Sequence, residues 1–260
     1  MKNVTPKKYL GQHFLIDLNI AKKISDTLKY DNYNDVLEIG PGMGVLTKFL
    51  IKKTNLFLVE VDNESVTYLN DKFPELKKNI INKDFLKINL RNYFKESVAI
   101  IGNFPYNISS QIIFKVIENR NIIPFFSGMF QKEVAQRICE PPGSKKYGII
   151  SVICQLYYET TLLFTVPPTV FNPKPKVDSA VIQLNRKQKI SYDCDEKLLF
   201  HIIKISFQQR RKTLRNSLKS LSLPIYLKED SIFDSRPESL SCKTFVKLTK
   251  MIENVKLSNK

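Results

Sequence analysis

Histidine and closely spaced cysteine are what this 260-residue chain has least of. It carries two imidazoles, His13 and His201, and four cysteines, Cys139, Cys154, Cys194 and Cys242, with no C-x-x-C or Cys/His ligand spacing. That scatter excludes a zinc-type ligand set and a disulfide framework; no metal is expected, and the thiols should be reduced and buried. It also argues against a mechanism built on an imidazole base. Long apolar runs are missing too. No segment approaches the roughly 20 apolar residues that a membrane-spanning helix needs, and Met1 to Phe14 holds Lys2, Lys7 and Lys8 but no continuous apolar stretch of the signal-peptide kind. The expected compartment is the cytoplasm. Acid is short as well: 41 Lys+Arg face 25 Asp+Glu, a net charge of +16. A surplus of that size favours a polyanionic partner, nucleic acid first. An anionic membrane surface is the rival, but no basic amphipathic helix near a terminus supports it.

What is present reads as one large domain and a smaller one. From Val36 onward, short apolar runs alternate with helical patterns. Val36–Ile39, Leu56–Val59, Asn79–Ile81, Val98–Ile101 and Pro124–Phe130 read as strands. Leu46–Ile51, Ser65–Phe73, Ile108–Ile117 and Glu133–Ile138 read as helices, after a first helix capped by Asp17. This β-α alternation predicts an α/β fold with a mostly parallel sheet, and ligands at the C-terminal ends of its strands. Pro141, Pro142, Gly143, Lys145 and Lys146 mark an exposed basic loop, and Ile149–Tyr158 and Asp178–Leu184 read as two further strands. Between them Pro167, Pro168, Pro173 and Pro175 stiffen a connector that carries Phe171. Beyond Gln188 the pattern turns helical, so the catalytic domain is expected over 1–187 and a small all-helical domain over 188–260. The run Lys204–Lys219 holds six basic residues and no acid. It fits a solvated helix face, and it also fits phosphate contact through Arg210, Arg211, Lys212 and Arg215, with Lys145 and Lys146 from the earlier loop.

Asn103-Phe104-Pro105-Tyr106 closes the apolar run Val98–Ile101. The Asn103 side-chain oxygen can accept one N–H of an exocyclic amine and the Phe104 carbonyl a second, while Pro105 stiffens the turn and Tyr106 offers a ring for stacking. The same four residues also fit a loop in which Pro ends a strand and Tyr fills the core. Glu38-Ile39-Gly40-Pro41-Gly42-Met43-Gly44 follows the first strand. It is neither a G-x-G-x-x-G fingerprint nor a Walker loop, yet Gly40 and Gly42 allow a ligand close to the backbone. Glu60 lies 20 residues after Gly40, at the end of the second strand, where a carboxylate can take ribose hydroxyls. Asp84, after the third strand, could accept from an adenine amine.

Together these residues resemble the small-subunit (16S) ribosomal RNA adenine N6,N6-dimethyltransferases, a family of class I S-adenosylmethionine-dependent methyltransferases with a Rossmann-like fold. The resemblance runs from about Lys7 to Leu248. It rests on Gly11-Gln12-His13-Phe14-Leu15, the glycine loop, and Asn103 to Asn107 with Phe104 in place of the usual Leu. It also includes Gln131-Lys132-Glu133-Val134, Tyr147-Gly148 with Ser151, Pro173 to Val181, and Gln209 to Asn216. It implies S-adenosylmethionine as cofactor, bound by Gln12, His13, Leu15, Gly40, Gly42, Glu60, Val61, Asp84, Phe85 and Asn103. It further implies a target base sandwiched by Tyr106 and Phe171. The implied partner is 16S rRNA in the small ribosomal subunit or its precursor, acted on by a monomer with no membrane association. Two rivals remain: a DNA adenine-N6 methyltransferase, which normally carries a larger target-recognition insertion, and a non-catalytic assembly or transcription factor on the same fold.

Overall fold

The computed structural model describes residues 4–188 and 192–258. Its contacts divide the chain into two compact units, Met1–Ala135 with Glu159–Arg186, and Gln136–Tyr158 with Lys187–Lys260.

In the first unit the chain enters through β1 (Phe14–Leu15) and α1 (Leu18–Ser25). Asp17 caps α1, its carboxylate accepting from the amides of Asn19 and Ile20. Then follow β2 (Asp35–Ile39), α2 (Thr47–Leu50), β3 (Asn55–Glu60), α3 (Asn63–Lys72), β4 (Ile80–Asn82), β5 (Val98–Asn103), α4 (Ser109–Glu118), β6 (Phe125–Gln131) and α5 (Lys132–Cys139). The unit closes with β7 (Tyr158–Val166), β8 (Phe171–Asn172) and β9 (Ser179–Arg186). Seven strands form one sheet in the order β4-β3-β2-β5-β6-β9-β7. β4, β3, β2, β5 and β6 run parallel, and β9 lies antiparallel to β6. Val98, Ala99, Ile100 and Ile101 of β5 are wholly buried, which is why that strand is an unbroken apolar run rather than an alternating one.

The chain winds outward from β2 to β4, then returns to lay β5 on the other side of β2. That reversal leaves a crevice at the C-terminal ends of β2 and β5, the switch point at which open α/β sheets bind ligands. Register fixes what borders it. Ile39 pairs with Val59 on one side and with Gly102 on the other. The next residues, Gly40, Glu60 and Asn103, therefore lie side by side.

Among its described residues the second unit has no strand apart from Tyr158; its helices are α6 (Ile149–Tyr157), α7 (Glu196–Gln208), α8 (Leu214–Ser217), α9 (Ile225–Lys228) and α10 (Cys242–Ser258), with short 3-10 turns and loops between. Two expectations change here. Ile149–Tyr157 is a helix, not a strand. Gly148 starts it with its amide bonded to the Ser151 hydroxyl at 2.9 Å, and α6 packs against α7 and α10. Its apolar residues are buried on most sides, so the run shows no period that could separate helix from strand. The helical unit also does not begin at 188, because Gln136–Tyr158 clusters with it. The Gly143 amide bonds the Glu238 carbonyl at 2.7 Å, the Tyr147 hydroxyl donates to the Leu240 carbonyl at 2.9 Å, and Lys187 N–H bonds the Tyr157 carbonyl at 2.9 Å.

Candidate active site

A cleft of about 460 Å³ opens at the switch point, bordered by Leu10 to Phe14, Gly40, Gly42, Glu60, Val61 and Asn103 to Tyr106. Gly40 has φ +66°, a conformation that glycine adopts without strain, and an added Cβ would meet only Pro105 Cδ at 3.8 Å. The space beside this backbone is open to a ligand. At Gly42 the reason for glycine is contact, because a Cβ there would lie 2.8 Å from the Phe14 ring. The lack of a side chain lets the N-terminal segment close over the loop.

That segment is tied down through Asp62, the N-cap of α3. Asp62 is 3% exposed and is ion-paired to Lys7, which also lies 3.6 Å from Glu64. It accepts from Ser65 at 3.0 Å and from Gln12 Nε2 at 3.5 Å. Burial pushes the Asp62 carboxyl up, but the bonds from Lys7, Ser65 and Gln12 outweigh it and hold the group below the usual carboxylate range. Gln12 Oε1 accepts from the Lys7 amide at 2.8 Å, so both ends of this side chain serve to fold the segment. Asp62 and Lys7 were missed in the sequence; the only trace is an acid two residues after Glu60.

Glu60 is buried. Its Oε1 accepts the amides of Val61 and Asp62, each at 2.9 Å, and Oε2 accepts the Gly42 amide at 3.2 Å. Desolvation raises its pKa against those three bonds. With roughly two lone pairs on each carboxylate oxygen, Oε1 is filled and Oε2 keeps one position. A hydroxyl donor in the cleft fits that position, which suits a ribose.

The Asn103 amide is oriented unambiguously. Its nitrogen lies 2.9 Å from the His13 carbonyl, and a carbonyl only accepts, so this atom is the NH2 donor. Oδ1 then has no donor among the described residues. Phe104 bonds back to the sheet through its amide, 3.2 Å from the Met129 carbonyl, while its own carbonyl has no donor among the described residues. Its ring is 1% exposed and packs on Phe126 and Phe130, both at 4.9 Å between centroids. Gly128 makes room for it, since a Cβ there would fall 2.4 Å from the Phe104 ring and 2.3 Å from the Gly102 carbonyl oxygen. Two acceptors, Asn103 Oδ1 and Phe104 O, are thus left on adjacent residues at the cleft, a fit to an exocyclic amine with two N–H bonds.

Tyr106 is half-buried, with its hydroxyl 2.5 Å from Ser179 Oγ and its ring stacked on His13, centroids 5.2 Å apart. Phe171 is elsewhere. β8 pairs antiparallel with β1, Leu15 opposite Phe171, and this pairing carries the Phe171 ring into the hydrophobic core at 1% exposure. A ring sandwich of Tyr106 and Phe171 is therefore not formed in this structure. Leu15 borders a smaller recess beneath the glycine loop, together with Glu38. Asp84 and Phe85 lie outside the main cleft. Asp84 Oδ1 accepts from the Leu86 amide at 2.9 Å, and the residue opens onto a depression with Lys83, Lys87 and Tyr93, while Phe85 is buried at 4%.

The six cations expected on RNA fall into two groups. Arg210 is a structural residue of its unit, with Nε 2.6 Å from Glu238 and Nη2 donating to the Ser144 carbonyl at 2.9 Å. Arg215 pairs with Asp234 at 2.7 Å, and Lys146 Nζ lies 2.6 Å from Gln136 Oε1. Lys145, Arg211 and Lys212 are exposed and have no ion pair or side-chain hydrogen bond among the described residues. The four cysteines are free thiols, but Cys154 alone is buried; Cys139, Cys194 and Cys242 are part-exposed. Among the described residues no cluster of His, Cys, Asp and Glu could hold a metal, and no helix is long and apolar enough to cross a membrane.

The sequence matches the family model described as ribosomal RNA adenine dimethylase over residues 3–228. It is 58% identical over 255 residues to a ribosomal RNA small subunit methyltransferase A of Flavobacterium johnsoniae, covering 97% of this chain and 98% of that one. The protein of the same name in Bacteroides thetaiotaomicron is 54% identical over 256 residues, covering 97% and 96%. Among solved structures, a dimethyladenosine transferase from Plasmodium falciparum superposes with a TM-score of 0.80 at 26% identity, covering 94% of this chain and 98% of that one. A 23S rRNA methyltransferase shares the fold, with a TM-score of 0.72 at 22% identity, covering 92% and 99%. The parallel sheet with its antiparallel β9 and its helical second unit is accordingly a class I methyltransferase fold. On the family match and these identities, the chain belongs to the ribosomal RNA adenine dimethylase family, whose members are methyltransferase enzymes.

Proposed function

We propose that the cleft takes S-adenosylmethionine and that the acceptor is N6 of two adjacent adenosines in a hairpin loop near the 3′ end of 16S rRNA. The product is N6,N6-dimethyladenosine, made during small-subunit biogenesis by a monomer acting in the cytoplasm on the subunit or its precursor. The observation that carries the reading is the pair of free acceptors, Asn103 Oδ1 and Phe104 O, beside Tyr106 at the switch point.

The residues suited to hold the cofactor are Gly40 and Gly42 through their backbone, Glu60 through Oε2, and His13, Leu15 and Val61 around them. Asp84 and Phe85, which the resemblance implies for the adenine end, lie beyond this cleft. Bound there, S-adenosylmethionine supplies an activated methyl group on a sulfonium. The protein's share of the chemistry is positioning and electrostatics. Adenine N6 is a poor nucleophile because its lone pair is delocalised into the ring. Accepting both N–H bonds favours a tetrahedral nitrogen with the lone pair freed for attack. The His13 carbonyl keeps the Asn103 amide in the one orientation that does this. No side-chain base is required, since the methylated ammonium is acidic and can lose its proton to water. In the second transfer the nitrogen has a single N–H, so one of the two acceptors loses its donor.

Phosphate contact by the helical unit is assigned to Lys145, Arg211 and Lys212, whose charges are unpaired. Arg210, Arg215 and Lys146 are better read as holding that unit together.

The test is to incubate the protein with labelled S-adenosylmethionine and unmethylated small subunits and to map the modified nucleotides. Dimethylated adjacent adenosines are expected; small subunits left unlabelled, or labelled without dimethyladenosine, would refute the assignment. In the same assay Asn103→Ala should slow single turnover about 10²–10³-fold, the usual effect of removing one such stabilising contact. An unchanged single-turnover rate in that variant would remove Asn103 from the acceptor role.

A further inference from the structure

His13 is held at three points. Its carbonyl accepts from Asn103 Nδ2, its Nδ1 lies 2.8 Å from the Pro173 carbonyl, and its ring stacks on Tyr106 with centroids 5.2 Å apart and planes at 27°. Because the Pro173 carbonyl only accepts, Nδ1 carries a proton. Tyr106 is held in turn, its hydroxyl bonded to Ser179 Oγ, which fixes the axis of its ring. A base lying between two rings needs about 7–8 Å between the outer planes, twice the carbon–carbon contact distance. The His13–Tyr106 separation does not admit one. Both side chains border the same cleft, so one face of Tyr106 there is already covered by the His13 ring.

We infer that the His13 imidazole is the resting occupant of the Tyr106 face and that the target base takes its place by displacing it, which makes His13 a specificity-determining residue. The inference rests on reading Tyr106 as the adenine platform. Entry exchanges one stack for another and breaks the Nδ1–Pro173 bond. Stacking alone therefore gives an incoming base little advantage, because every base has a π face and the imidazole it displaces has one too. A base that also donates two N–H bonds to Asn103 Oδ1 and Phe104 O gains what His13 cannot supply. A purine without the exocyclic amine gains nothing further and leaves His13 in place. Selectivity for the amine is thereby sharpened by a competitor built into the chain.

The chain's two histidines, His13 and His201, make this measurable. With 13C-histidine labelling, the His13 ring resonance is assigned by its loss in His13→Ala and should be displaced upfield by the Tyr106 ring current, a displacement lost in Tyr106→Leu. The full-length protein is saturated with S-adenosylhomocysteine and an RNA hairpin carrying two adjacent loop adenosines, whose methylation is checked separately with S-adenosylmethionine. The adenosine hairpin should abolish the upfield displacement, and the same hairpin with purine riboside at the target position should leave it. His13→Ala keeps its main-chain carbonyl on Asn103 and should bind the purine riboside hairpin about 2- to 10-fold tighter, the range expected for one lost aromatic pair. His13→Phe, which restores a ring, should return most of the discrimination. If the adenosine hairpin is methylated yet leaves the His13 resonance in place, the base uses another face and the displacement is wrong while the adenine reading stands. If the hairpin binds and is not methylated, the adenine reading fails and the displacement fails with it.

Discussion

Glu38→Gln should make the protein more stable at alkaline pH than the native chain. Glu38 lies one residue from the end of β2, 2% exposed, beneath the loop that opens the cleft. Its Oε2 accepts from the Thr47 hydroxyl at 2.7 Å. Burial pushes its pKa up to about 8, with the Glu60 charge adding to the rise and the Thr47 bond opposing it. The folded state therefore keeps this proton up to about pH 8, whereas the unfolded chain gives it up near the ordinary value of 4.5. More protons are bound folded than unfolded across that window, so stability falls as pH rises through it. A rise of this size corresponds to about 4 kcal/mol lost by pH 8, of which about 3–4 kcal/mol lies above pH 5.

Glutamine keeps the shape and the bond to Thr47 and has no proton to lose. Urea unfolding of both proteins at pH 5, 6.5 and 8 isolates the effect, because Glu60 and every other group titrate in both. The variant should match the native chain within about 1 kcal/mol at pH 5 and exceed it by several kcal/mol at pH 8. Parallel profiles, with a constant gap from pH 5 to 8, would show that Glu38 is not the proton holder and that the argument from burial is wrong.

The remaining predictions follow from packing and charge. Arg211→Ala with Lys212→Ala should leave the melting temperature unchanged and reduce the slope of log affinity against log salt by about 1.4–1.8, as two lost phosphate contacts require; an unchanged slope takes both out of the interface. Arg210→Ala should instead destabilise the protein by about 1–2 kcal/mol, since it strips charge-assisted bonds from Glu238 and the Ser144 carbonyl. A native-like melting temperature in that variant would contradict its structural role. Gly128→Ala should destabilise by at least the 1–3 kcal/mol typical of overpacking, because its Cβ meets a backbone carbonyl at 2.3 Å and the Phe104 ring at 2.4 Å. Single-turnover methylation should fall with it as the Phe104 carbonyl is moved; native stability and rate together would refute this.

The parallel core of the fold was legible because its strands are buried on both faces and bounded by glycine, proline and acids. Strand ends could be counted from Gly40 to Glu60 to Asn103, and the register brings those three together. Ile149–Tyr157 misled for the same physical reason, since a short run apolar on most sides has no period to distinguish helix from strand. The domain division was misread because the contacts tying Gly143 and Tyr147 to Glu238 and Leu240 span more than 90 residues and are made largely by main-chain atoms, which carry no residue-type signal. Asp62 and Gly128 escaped notice, and Ser179 entered only as part of the Pro173–Val181 stretch, because each acts on another residue of the site rather than on a ligand. Charge counting, likewise, could not tell Arg210, paired to Glu238, from the unpaired Arg211 beside it.

The acceptor pair shows how little of this chemistry is carried by reactive side chains. One of its two oxygens is a main-chain carbonyl, and the other belongs to an amide whose orientation is set by a second main-chain carbonyl, that of His13. What the sequence must specify is therefore the support. The Phe104 ring is drawn into the core over Gly128, Pro105 turns the chain, and Lys7 and Asp62 hold the N-terminal segment so that the His13 carbonyl reaches Asn103. In this scheme the side chain at position 104 is an anchor for the carbonyl, a role the Phe104 ring fills by packing on Phe126 and Phe130. The acceptor function depends on where the backbone of 104 lies, and so Gly128, which packs under the Phe104 ring, constrains the site as Asn103 does.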